Sequence, residues 1–478
     1  MNYPETKLPL LRMFMGFLAV LLLCSAAGAA ADRPNILIIL ADDLGYGDLS
    51  SYGGKDIRTP NVDGIGARGM RFENFYANCP VCSPTRASLL SGRYPAMAGV
   101  PGVIRTHAAN NWGYLRQDAR LLPGLLKKAG YHTSIVGKWH LGLMEENHPL
   151  SRGFDFFHGF LGDMMDDYYK HRRHNINYMR KGRETIDPGG HATDLFSDWA
   201  VDYILSRKEK KEPFCLYLAY NAPHTPIQPP KEWVEKITKR QPGISGKRAK
   251  LVALIEHMDH GIGKVLDALE KTGQAENTLV IFTSDNGPWL LYGDHAGSAG
   301  PLREGKATPF EGGFRVPCIM WWPGKIPAGS RCNELASTID ILPTIARLGG
   351  APLPKKKIDG KDLWPLMTAQ PGAKTPHEAF FYYSGSKLSG VRSGKWKLLF
   401  AQGFTQQKPP GKGGQPGTRA TGRIPLSLFD LEKDVGERAN VAAAHPGVVK
   451  RLQSLAEEMR KELGDTGRPG SGIRPVGR

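Results

Sequence analysis

The sequence predicts an α/β protein with a large mixed, mostly parallel sheet sandwiched by helices, and a smaller C-terminal α+β domain with an antiparallel sheet. Two observations carry this prediction. Short aliphatic runs alternate with helical patterns from about Asn35 to about Gly350, and the texture of the chain changes after about Thr375. Strands that alternate with helices are typical of a parallel sheet covered by helices. Hydrophobic residues make up 41% of the 478 residues, so a sizeable core is expected.

Four aliphatic runs are the predicted strands of the large sheet. They are Asn35–Leu40, Thr133–Val136, Phe214–Ala219 and Thr278–Thr283. An amphipathic helix lies between the last two, because apolar residues recur every three or four positions from Leu251 to Leu269. Gly273 is the predicted end of this helix.

The C-terminal domain is predicted to begin after residue 375. Its predicted strands are Ala379–Tyr383, Trp396–Phe400 and Leu426–Leu431, arranged as an antiparallel meander. The stretch Gln402–Arg423 is rich in Gly, Pro, Gln and Lys and is predicted to be an exposed loop. A final helix begins at Pro446, and the last dozen residues are predicted to be a flexible tail. We therefore expect a large α/β domain over 32–375 and a C-terminal α+β subdomain over 376–478.

Residues 1–31 are predicted to be a secretory signal peptide. A short basic start precedes the apolar run Met13–Cys24, and the small-residue stretch Ser25–Ala31 follows it. The apolar run is shorter than the roughly 20 residues that a membrane span needs, so no stable span is expected. A lipoprotein reading through Cys24 is disfavoured because Leu23 stands where a small residue is usual. The mature chain is expected in the periplasm or outside the cell.

The chain is strongly basic, with a formal net charge of +17. Such a charge suits an acidic partner, or else a solvated basic surface with no partner. Nucleic acid is not expected as a partner of an exported protein. An anionic polysaccharide fits better.

Polar residues follow each of the four predicted strands directly. They are Asp42, Asp43, Lys138, His140, His224, Asp285 and Asn286. Ligands of open α/β sheets bind at the carboxyl ends of the strands, so these residues are predicted to meet at one edge. For each segment taken singly, an ordinary turn is the alternative.

Four of these residues offer oxygen ligands: Asp42, Asp43, Asp285 and Asn286. Neither a cysteine nor a close histidine pair accompanies them in the sequence. Hard oxygen donors favour calcium or magnesium over zinc. Three carboxylates packed together would also repel each other without a cation, although a solvated acidic turn is the alternative for Asp42 and Asp43.

Two long motifs point to a family. Cys82-Ser83-Pro84-Thr85-Arg86 has the pattern C-x-P-x-R and continues to Leu90-Ser91-Gly92, and a second motif, GYHTSIVGKWHLG, spans Gly130–Gly142. With Gly305-Lys306 and Glu311-Gly312-Gly313, they resemble the formylglycine-dependent sulfatases, of arylsulfatase type in the alkaline phosphatase superfamily. The family pattern usually has Thr where Ser91 stands. This is a minor departure, because serine keeps the hydroxyl group. The resemblance covers essentially the whole chain after the leader.

The resemblance implies that Cys82 is oxidised to a Cα-formylglycine aldehyde by a formylglycine-generating or anaerobic maturation enzyme. A serine would end as a stable sulfate ester, whereas the second hydroxyl of a hydrated aldehyde can expel sulfate. The resemblance further implies one calcium ion bound by Asp42, Asp43, Asp285, Asn286 and the modified residue 82. Cys82 would then be free, whereas Cys79, Cys215, Cys318 and Cys332 could form a disulfide after export.

The resemblance also assigns roles to the other strand-end residues. Arg86 would orient the hydrated aldehyde, and His140 would help deprotonate the hydroxyl that expels sulfate. Lys138, His224 and Lys306 would contact sulfate oxygens, and either His224 or Lys306 could protonate the leaving oxygen. An ordinary surface lysine is the alternative for Lys138 and Lys306. Arg315 is predicted to brace the site.

Two other functions are considered. Phosphatases, phosphodiesterases and phosphonate hydrolases share the fold, but their two-zinc members need more histidine ligands than this sequence offers. An exported polyanion-binding protein with a dead site would be expected to lose Cys82 or a metal ligand, and none is lost.

The predicted substrate is a sulfated polysaccharide or oligosaccharide. Three basic or aromatic stretches are candidates for binding it: Arg105-Thr106-His107, His171-Arg172-Arg173-His174, and Asp294 with His295. Ion pairing and ring stacking suit a sugar that bears anions. An ordinary solvated loop is the alternative for each stretch.

Overall fold

The structure is a computed structural model that describes Met1 and residues 33–106 and 115–474. The predicted signal peptide, apart from Met1, lies outside the described residues, and so does His107. Within the described ranges, none of the helices is both long and apolar enough to cross a membrane.

The described chain contains five sheets. Their strands are β1 (Asn35–Ala41), β2 (Met70–Phe72), β3 (Phe75–Tyr76), β4 (His132–Lys138), β5 (Phe156–Phe160), β6 (Arg172–Arg173), β7 (Ile176–Asn177), β8 (Met179–Lys181), β9 (Glu184–Thr185), β10 (Phe214–Ala219), β11 (Thr278–Ser284), β12 (Cys318–Trp321), β13 (Ser330–Cys332), β14 (Ala336–Ser337), β15 (Phe380–Ser384), β16 (Lys387–Ser393), β17 (Trp396–Leu399), β18 (Gln402–Gln407), β19 (Arg419–Ile424) and β20 (Ser427–Asp430).

The large sheet has ten strands in the order β13-β2-β12-β11-β1-β10-β4-β5-β8-β9. The centre from β11 to β5 is parallel, and antiparallel pairs flank it on both sides. The four central strands from β11 to β4 are the four predicted from aliphatic runs. Nearly every residue of these strands is buried, because helices cover both faces of a parallel sheet. The predicted fold class is confirmed.

Helices pack on the large sheet in two groups. One group surrounds the long helix Gly246–Lys271, which contacts helices Pro60–Arg68, Ala192–Ser206 and Lys231–Arg240. The other group comprises helices Cys82–Ser91, Leu122–Lys128 and Ile341–Leu348. The remaining α-helices of the described residues are Pro95–Ala98, Glu311–Phe314, Trp364–Met367 and Pro446–Leu463.

The long helix begins where its sequence predicts. The Ser245 side chain accepts a hydrogen bond from the Arg248 N–H, which satisfies one of the free donors of the first turn. The apolar stripe from Leu251 to Leu269 is buried against the sheet and its neighbours. The helix ends at Lys271, two residues before the left-handed Gly273.

The C-terminal region forms a four-stranded antiparallel sheet in the order β15-β16-β17-β20. Strand β16, Lys387–Ser393, was not predicted, although it pairs with both β15 and β17. Its sequence KLSGVRS has little apolar character, and tertiary pairing rather than hydrophobic pattern makes it a strand. Helix Pro446–Leu463 packs on this sheet through Leu452, Ala456 and Leu463.

Two predictions for the C-terminal region need correction. The stretch Gln402–Arg423 is not wholly a loop, because β18 and β19 form an antiparallel hairpin. Phe404 and Ile424 anchor the hairpin in a small core with Phe310 of the large domain. The hairpin is missed in the sequence because only a few of its side chains are apolar.

The second correction concerns the tail, whose described part is packed as far as Arg474. The Ser471 N–H donates to the carbonyl of Lys461, and the Arg474 N–H donates to the carbonyl of Ala96. The Arg474 guanidinium also lies 3.2 Å from the Asp118 carboxylate. Backbone hydrogen bonds, which composition does not reveal, hold this segment on the surface.

Candidate active site

The polar residues that follow the central strands meet at the carboxyl edge of the large sheet. Residues Asp42 and Asp43 follow β1, Asp285 and Asn286 follow β11, and His224 follows β10. The registers explain the meeting, because Ala41 pairs with Ser284 and Leu40 pairs with Ala219. Each of the seven predicted strand-end residues is buried.

Helix Cys82–Ser91 brings Cys82 to the same edge. Every residue of this helix is buried, and Cys82 is its first residue. Pro84 is tolerated in the first turn, where backbone N–H groups lack intrahelical acceptors. The helix N-terminus carries a partial positive charge, which favours an anion there. Ligand atoms of Cys82, Asp42 and Asp285 lie within 4.8 Å of one another.

The oxygen-bearing residues form one cluster. The Asp43 N–H donates to Asp285 Oδ1 over 3.1 Å, and Asn286 Nδ2 donates to Asp43 Oδ1 over 2.8 Å. Asp42 Oδ1 and Asn286 Oδ1 are buried and have no hydrogen-bond partner. Buried oxygens without donors are costly, and a bound cation would satisfy both. The donor set therefore fits a calcium-type ion.

Three cationic side chains surround the carboxylates. Lys138 Nζ lies 2.5 Å from Asp42 Oδ2, and Lys306 Nζ lies 2.6 and 2.7 Å from the two oxygens of Asp43. Arg86 donates from Nε and Nη2 to Asp285 Oδ2 over 3.0 and 2.8 Å. Lys138 is buried beside Asp42, and the Lys306 side chain is only 13% exposed beside Asp43, so the surface-lysine alternative is excluded for both.

Burial and charge set the ionisation of the cluster. Burial acts to raise the pKa of Asp42, but the neighbouring cations, Lys138 above all, hold this pKa well below its ordinary value. Burial raises the pKa of Asp285 to about 7, and the negative charge of Asp42 adds to the effect against the pull of Arg86. A divalent cation would favour the ionised form of both carboxylates.

The thiol and the two histidines are also perturbed by burial. Burial raises the pKa of the Cys82 thiol, although Lys138 and Lys306 oppose the shift. Burial lowers the pKa of His140 well below its ordinary value, and it also lowers the pKa of His224. Both imidazoles are therefore neutral at neutral pH in this arrangement.

His140 is held in a strained position. Its φ of 60° lies in the left-handed region, which a residue with a side chain rarely adopts. Its Nε2 lies 2.7 Å from the carbonyl of Ile104 and 3.0 Å from Ser83 Oγ. Its Nδ1 is buried without a partner. Asp43, with φ 65°, is strained in the same way, and such residues concentrate at functional sites.

Two glycine-containing motifs make close contact beneath the site. A Cβ atom on Gly287 would lie 1.7 Å from the carbonyl oxygen of Gly312, so only glycine fits there. The Gly287 N–H donates to the carbonyl of Gly313 over 3.1 Å. Arg315 lies behind this contact and donates to the carbonyl of Glu73 over 2.7 Å. Arg315 is not among the residues that line the active-site cavity, and its bracing role stays a prediction.

A cavity of about 280 Å³ opens over the cluster. We call it the active-site cavity. Cys82, His140, His224 and Lys306 are among the residues that line it. Lys138 and the three aspartates are not among the lining residues. They are connected to the cavity wall through Lys306, whose ammonium contacts Asp43.

The cavity also includes residues that the strand-end pattern did not predict. Among them are Asp163, Trp289 and Arg419. Arg419 is the first residue of β19, so the C-terminal hairpin supplies part of the cavity wall. No local motif marks Arg419, because its place depends on how the hairpin docks. Trp289, three residues after Asn286, could have been suspected from its nearness to the motif.

The three predicted substrate-binding stretches have different outcomes. Arg105 lines the active-site cavity, whereas the 171–174 stretch does not contribute to its lining. Arg172 pairs with Asp187, and Arg173 pairs with Asp163 and Asp166. These ion pairs engage both guanidiniums, and substrate binding by this stretch stays a prediction.

The third stretch lies beside the site. His295 lines a neighbouring cavity with Tyr292, and its ring lies 2.5 Å from the Asp294 carboxylate.

The five cysteines of the described chain are all buried and free. Cys318 and Cys332 lie on strands that flank Phe72 of β2 on opposite sides, which keeps them from pairing.

Comparisons with known proteins agree with this geometry. The family model described as Sulfatase matches residues 34–351, and the model described as the C-terminal region of aryl-sulfatase matches residues 375–468. A third model, N-sulphoglucosamine sulphohydrolase, C-terminal, matches residues 305–406. The first match alone spans more than half of the chain.

Two curated relatives are similar over most of the chain. N-acetylgalactosamine-6-sulfatase of Canis lupus familiaris is 36% identical, covering 93% of this chain and 90% of that protein. Arylsulfatase A of Homo sapiens is 36% identical, covering 92% of this chain and 90% of that protein.

Solved structures agree as well. Ps i-CgsB in complex with k-i-k-neocarrahexaose is 31% identical with a TM-score of 0.77, covering 89% of this chain and 92% of that chain. The PsFucS1 sulfatase from Pseudoalteromonas sp. is 27% identical with a TM-score of 0.78, covering 93% of both chains. Motifs, fold and comparisons together show that this chain belongs to the sulfatase family, enzymes that hydrolyse sulfate esters.

Proposed function

We propose that the protein is an exported sulfatase that removes sulfate from a sulfated glycan, with a formylglycine made from Cys82 and one bound calcium ion. The observation that carries the proposal is the position of Cys82. It lies at a buried helix N-terminus, beside three carboxylates and three cations, in the wall of a cavity. The names of the relatives support the glycan, since one is an N-acetylgalactosamine-6-sulfatase and one structure holds neocarrahexaose.

The calcium ion would be held by Asp42, Asp43, Asp285 and Asn286, with the group at position 82 beside it. The two unpartnered oxygens of Asp42 and Asn286 support this assignment. When bound, the ion would polarise the sulfate and the nucleophile as a Lewis acid.

The modification would supply an aldehyde whose hydrate offers two hydroxyl groups at position 82. Because Cys82 is almost fully buried, a maturation enzyme would need to reach the motif before the chain folds. Arg86 would orient the modified group, and its hydrogen bonds to Asp285 and to the carbonyl of Lys138 support this role by holding the guanidinium still.

The other residues at the cavity would stabilise negative charge and transfer protons. Lys306 and Lys138 bring positive charge to the site of a sulfate anion, and an electrostatic contact of this kind stabilises charge that grows on the sulfate oxygens. His140 is neutral because of its lowered pKa, and its free Nδ1 can accept a proton. Lys306 would give a proton to the leaving oxygen, and His224 would do so once a bound sulfate anion has raised its pKa and protonated the ring.

The proposal is tested with protein produced in a host that has a maturation enzyme. Mass spectrometry of the tryptic peptide ending at Arg86 should show the thiol replaced by an aldehyde. The same preparation should release sulfate from defined sulfated oligosaccharides and from an aryl sulfate, and act far more slowly on an aryl phosphate. Full activity with unmodified Cys82 would contradict the formylglycine. Faster turnover of the phosphate would favour a phosphatase, and activity on the aryl sulfate alone would refute the glycan.

A further inference from the structure

A second cavity, which we call the outer cavity, has a volume of about 310 Å³. Lys247 and Lys250 from the first turns of the long helix line it, together with Tyr292, His295 and Gln415. None of these residues belongs to the catalytic cluster.

The outer cavity adjoins the active-site cavity through three shared elements. Trp289 lines one cavity and Tyr292 the other, and their ring centroids lie 6.4 Å apart. His224 and Pro226, two residues apart in one turn, face the two cavities in the same way. The C-terminal hairpin supplies Arg419 to the first cavity and Gln415 to the second. The outer cavity therefore lies next to the active-site cavity on this side.

Lys247 and Lys250, the two lysines of the outer cavity, differ in their ion pairing from Arg248, which lies between them in the sequence. Arg248 is bound to Asp56 over 2.7 Å and to the carbonyl of Ala296 over 2.6 Å. Lys247 and Lys250 are exposed and make no ion pair with the described residues. The stem of Lys247 lies over Gly414, where a Cβ atom would come within 2.2 Å of its Cγ. The fold thus holds Lys247 in place and leaves its charge available.

We infer that the outer cavity binds a second anionic sugar of a polymeric substrate, next to the sugar whose sulfate is removed. The inference rests on the proposed glycan sulfatase function. Lys247 and Lys250 would pair with a sulfate or carboxylate group, and the half-buried Tyr292 ring would pack against the sugar face. Gln415 offers a side-chain amide to sugar hydroxyls. The enzyme would then prefer oligosaccharides to sulfated monosaccharides and small aryl sulfates.

The test is the double variant Lys247→Glu and Lys250→Glu, made in the full chain. Its kcat/KM is compared with that of the unchanged enzyme on an aryl sulfate and on chondroitin sulfate and carrageenan fragments of two and six sugars. We expect a loss of at least about tenfold on the hexasaccharide that the enzyme accepts, and little change on the aryl sulfate. Equal losses on all substrates, or no loss on the hexasaccharide, would overturn the inference.

A matched control separates local binding from general charge. Lys210 and Lys211 are exposed lysines just before β10, at the opposite edge of the sheet. Their replacement by Glu makes the same change in net charge. It should leave the preference for longer substrates intact, and an equal loss in this control would also refute a local site.

Binding to the Cys82→Ala protein distinguishes failure of the inference from failure of the proposed function. Calorimetry with the same hexasaccharides needs no turnover. If the enzyme releases sulfate only from the aryl sulfate, the proposed function fails. The inference that the outer cavity binds a sugar is then supported if a hexasaccharide binds more weakly after the Lys247→Glu and Lys250→Glu changes. It is refuted if no hexasaccharide binds, or if binding is unchanged.

Discussion

Two buried clusters in this molecule each combine carboxylates with cations, and they differ in how completely the carboxylate oxygens are satisfied. The catalytic cluster at the strand ends pairs Asp42, Asp43 and Asp285 with cations but leaves buried oxygens without partners. The second cluster joins the large domain to the C-terminal sheet. There Lys397 lies 3.0 Å from Glu311 and 2.8 Å from Glu437, with all three side chains buried.

The second cluster is closed by its own side chains. Glu311 accepts hydrogen bonds from the hydroxyls of Tyr76 and Tyr382 over 2.5 and 2.6 Å. Glu437 accepts from the Glu311 N–H over 2.7 Å. Glu437 Oε1 makes no hydrogen bond, but it lies 2.8 Å from the Lys397 ammonium, so each carboxylate oxygen of this cluster has a donor or a cation beside it. The comparison teaches that burial of charge alone does not mark a site, whereas unsatisfied oxygens beside a cavity do.

The largest expected effect is at Asp285 in the catalytic cluster. Asp285→Asn should lower kcat/KM for an aryl sulfate by at least about a thousandfold, because it removes a proposed calcium ligand and weakens the ion pair with Arg86. Added calcium should raise the Tm of the unchanged protein and have a much smaller effect on the variant. Asp48→Asn is the control, since Asp48 is buried but bonds only to the N–H groups of Gly45 and Ser298. If Asp285→Asn keeps its activity and its response to calcium, the catalytic cluster is not the proposed cation site, and the contrast with the second cluster is wrong.

The second prediction concerns stability at the closed cluster. Lys397→Met should lower the free energy of unfolding by about 3–5 kcal/mol, because Glu437 loses its cation and Glu311 keeps only Arg315 and Arg392, at 3.8 and 3.9 Å. Denaturant unfolding measures the change. Lys395→Met is the matched control two residues away. The Lys395 side chain is 32% exposed, so loss of its ion pair with Asp430 should cost less than about 1 kcal/mol. A similar loss of unfolding free energy in both variants would show that the buried cluster stabilises the fold no more than a partly exposed ion pair does.

The third prediction tests the wall that the hairpin adds to the active-site cavity. Arg419→Ala should lower kcat/KM for a sulfated glycan by about tenfold, since a charge-assisted hydrogen bond contributes about 1.5 kcal/mol or more. Turnover of a small aryl sulfate should change little. Arg423→Ala on the same strand provides the control, because Arg423 is exposed and is not among the residues lining the cavity. Unchanged glycan turnover in Arg419→Ala would remove the hairpin from substrate recognition.

The smallest expected effect is a change in pH dependence at the closed cluster. Burial raises the pKa of Glu437 from an ordinary 4.5 to about 7, because the pull of Lys397 does not fully offset it. The folded state then holds a proton that the unfolded state releases, so this contribution to stability is complete below about pH 4.5 and is lost as pH rises through 7. Glu437→Gln should flatten the decline in Tm between those pH values. Parallel Tm profiles for the two proteins would contradict the assignment.

Much of the active site was predictable from the sequence. The aliphatic runs placed the four central strands within one or two residues at either end, and the polar residues after them fell at one edge. That outcome follows from geometry, because parallel strands have all their carboxyl ends on one side. The motif around Cys82 marked the helix that completes the site. Signals of this kind are local, and a sequence displays them directly.

The hairpin, strand β16 and the closed cluster were decided by tertiary structure. Arg419 lies far in sequence from Cys82, and only docking of Phe404 and Ile424 against Phe310 brings it to the cavity. Basic composition near 171–174 suggested substrate binding, but aspartates of the large domain occupy both guanidiniums. The sequence by itself determined the central sheet and the residue types at its edge. Tertiary structure decided which charges pair internally and which face a cavity, because pairing depends on distances between segments remote in the chain.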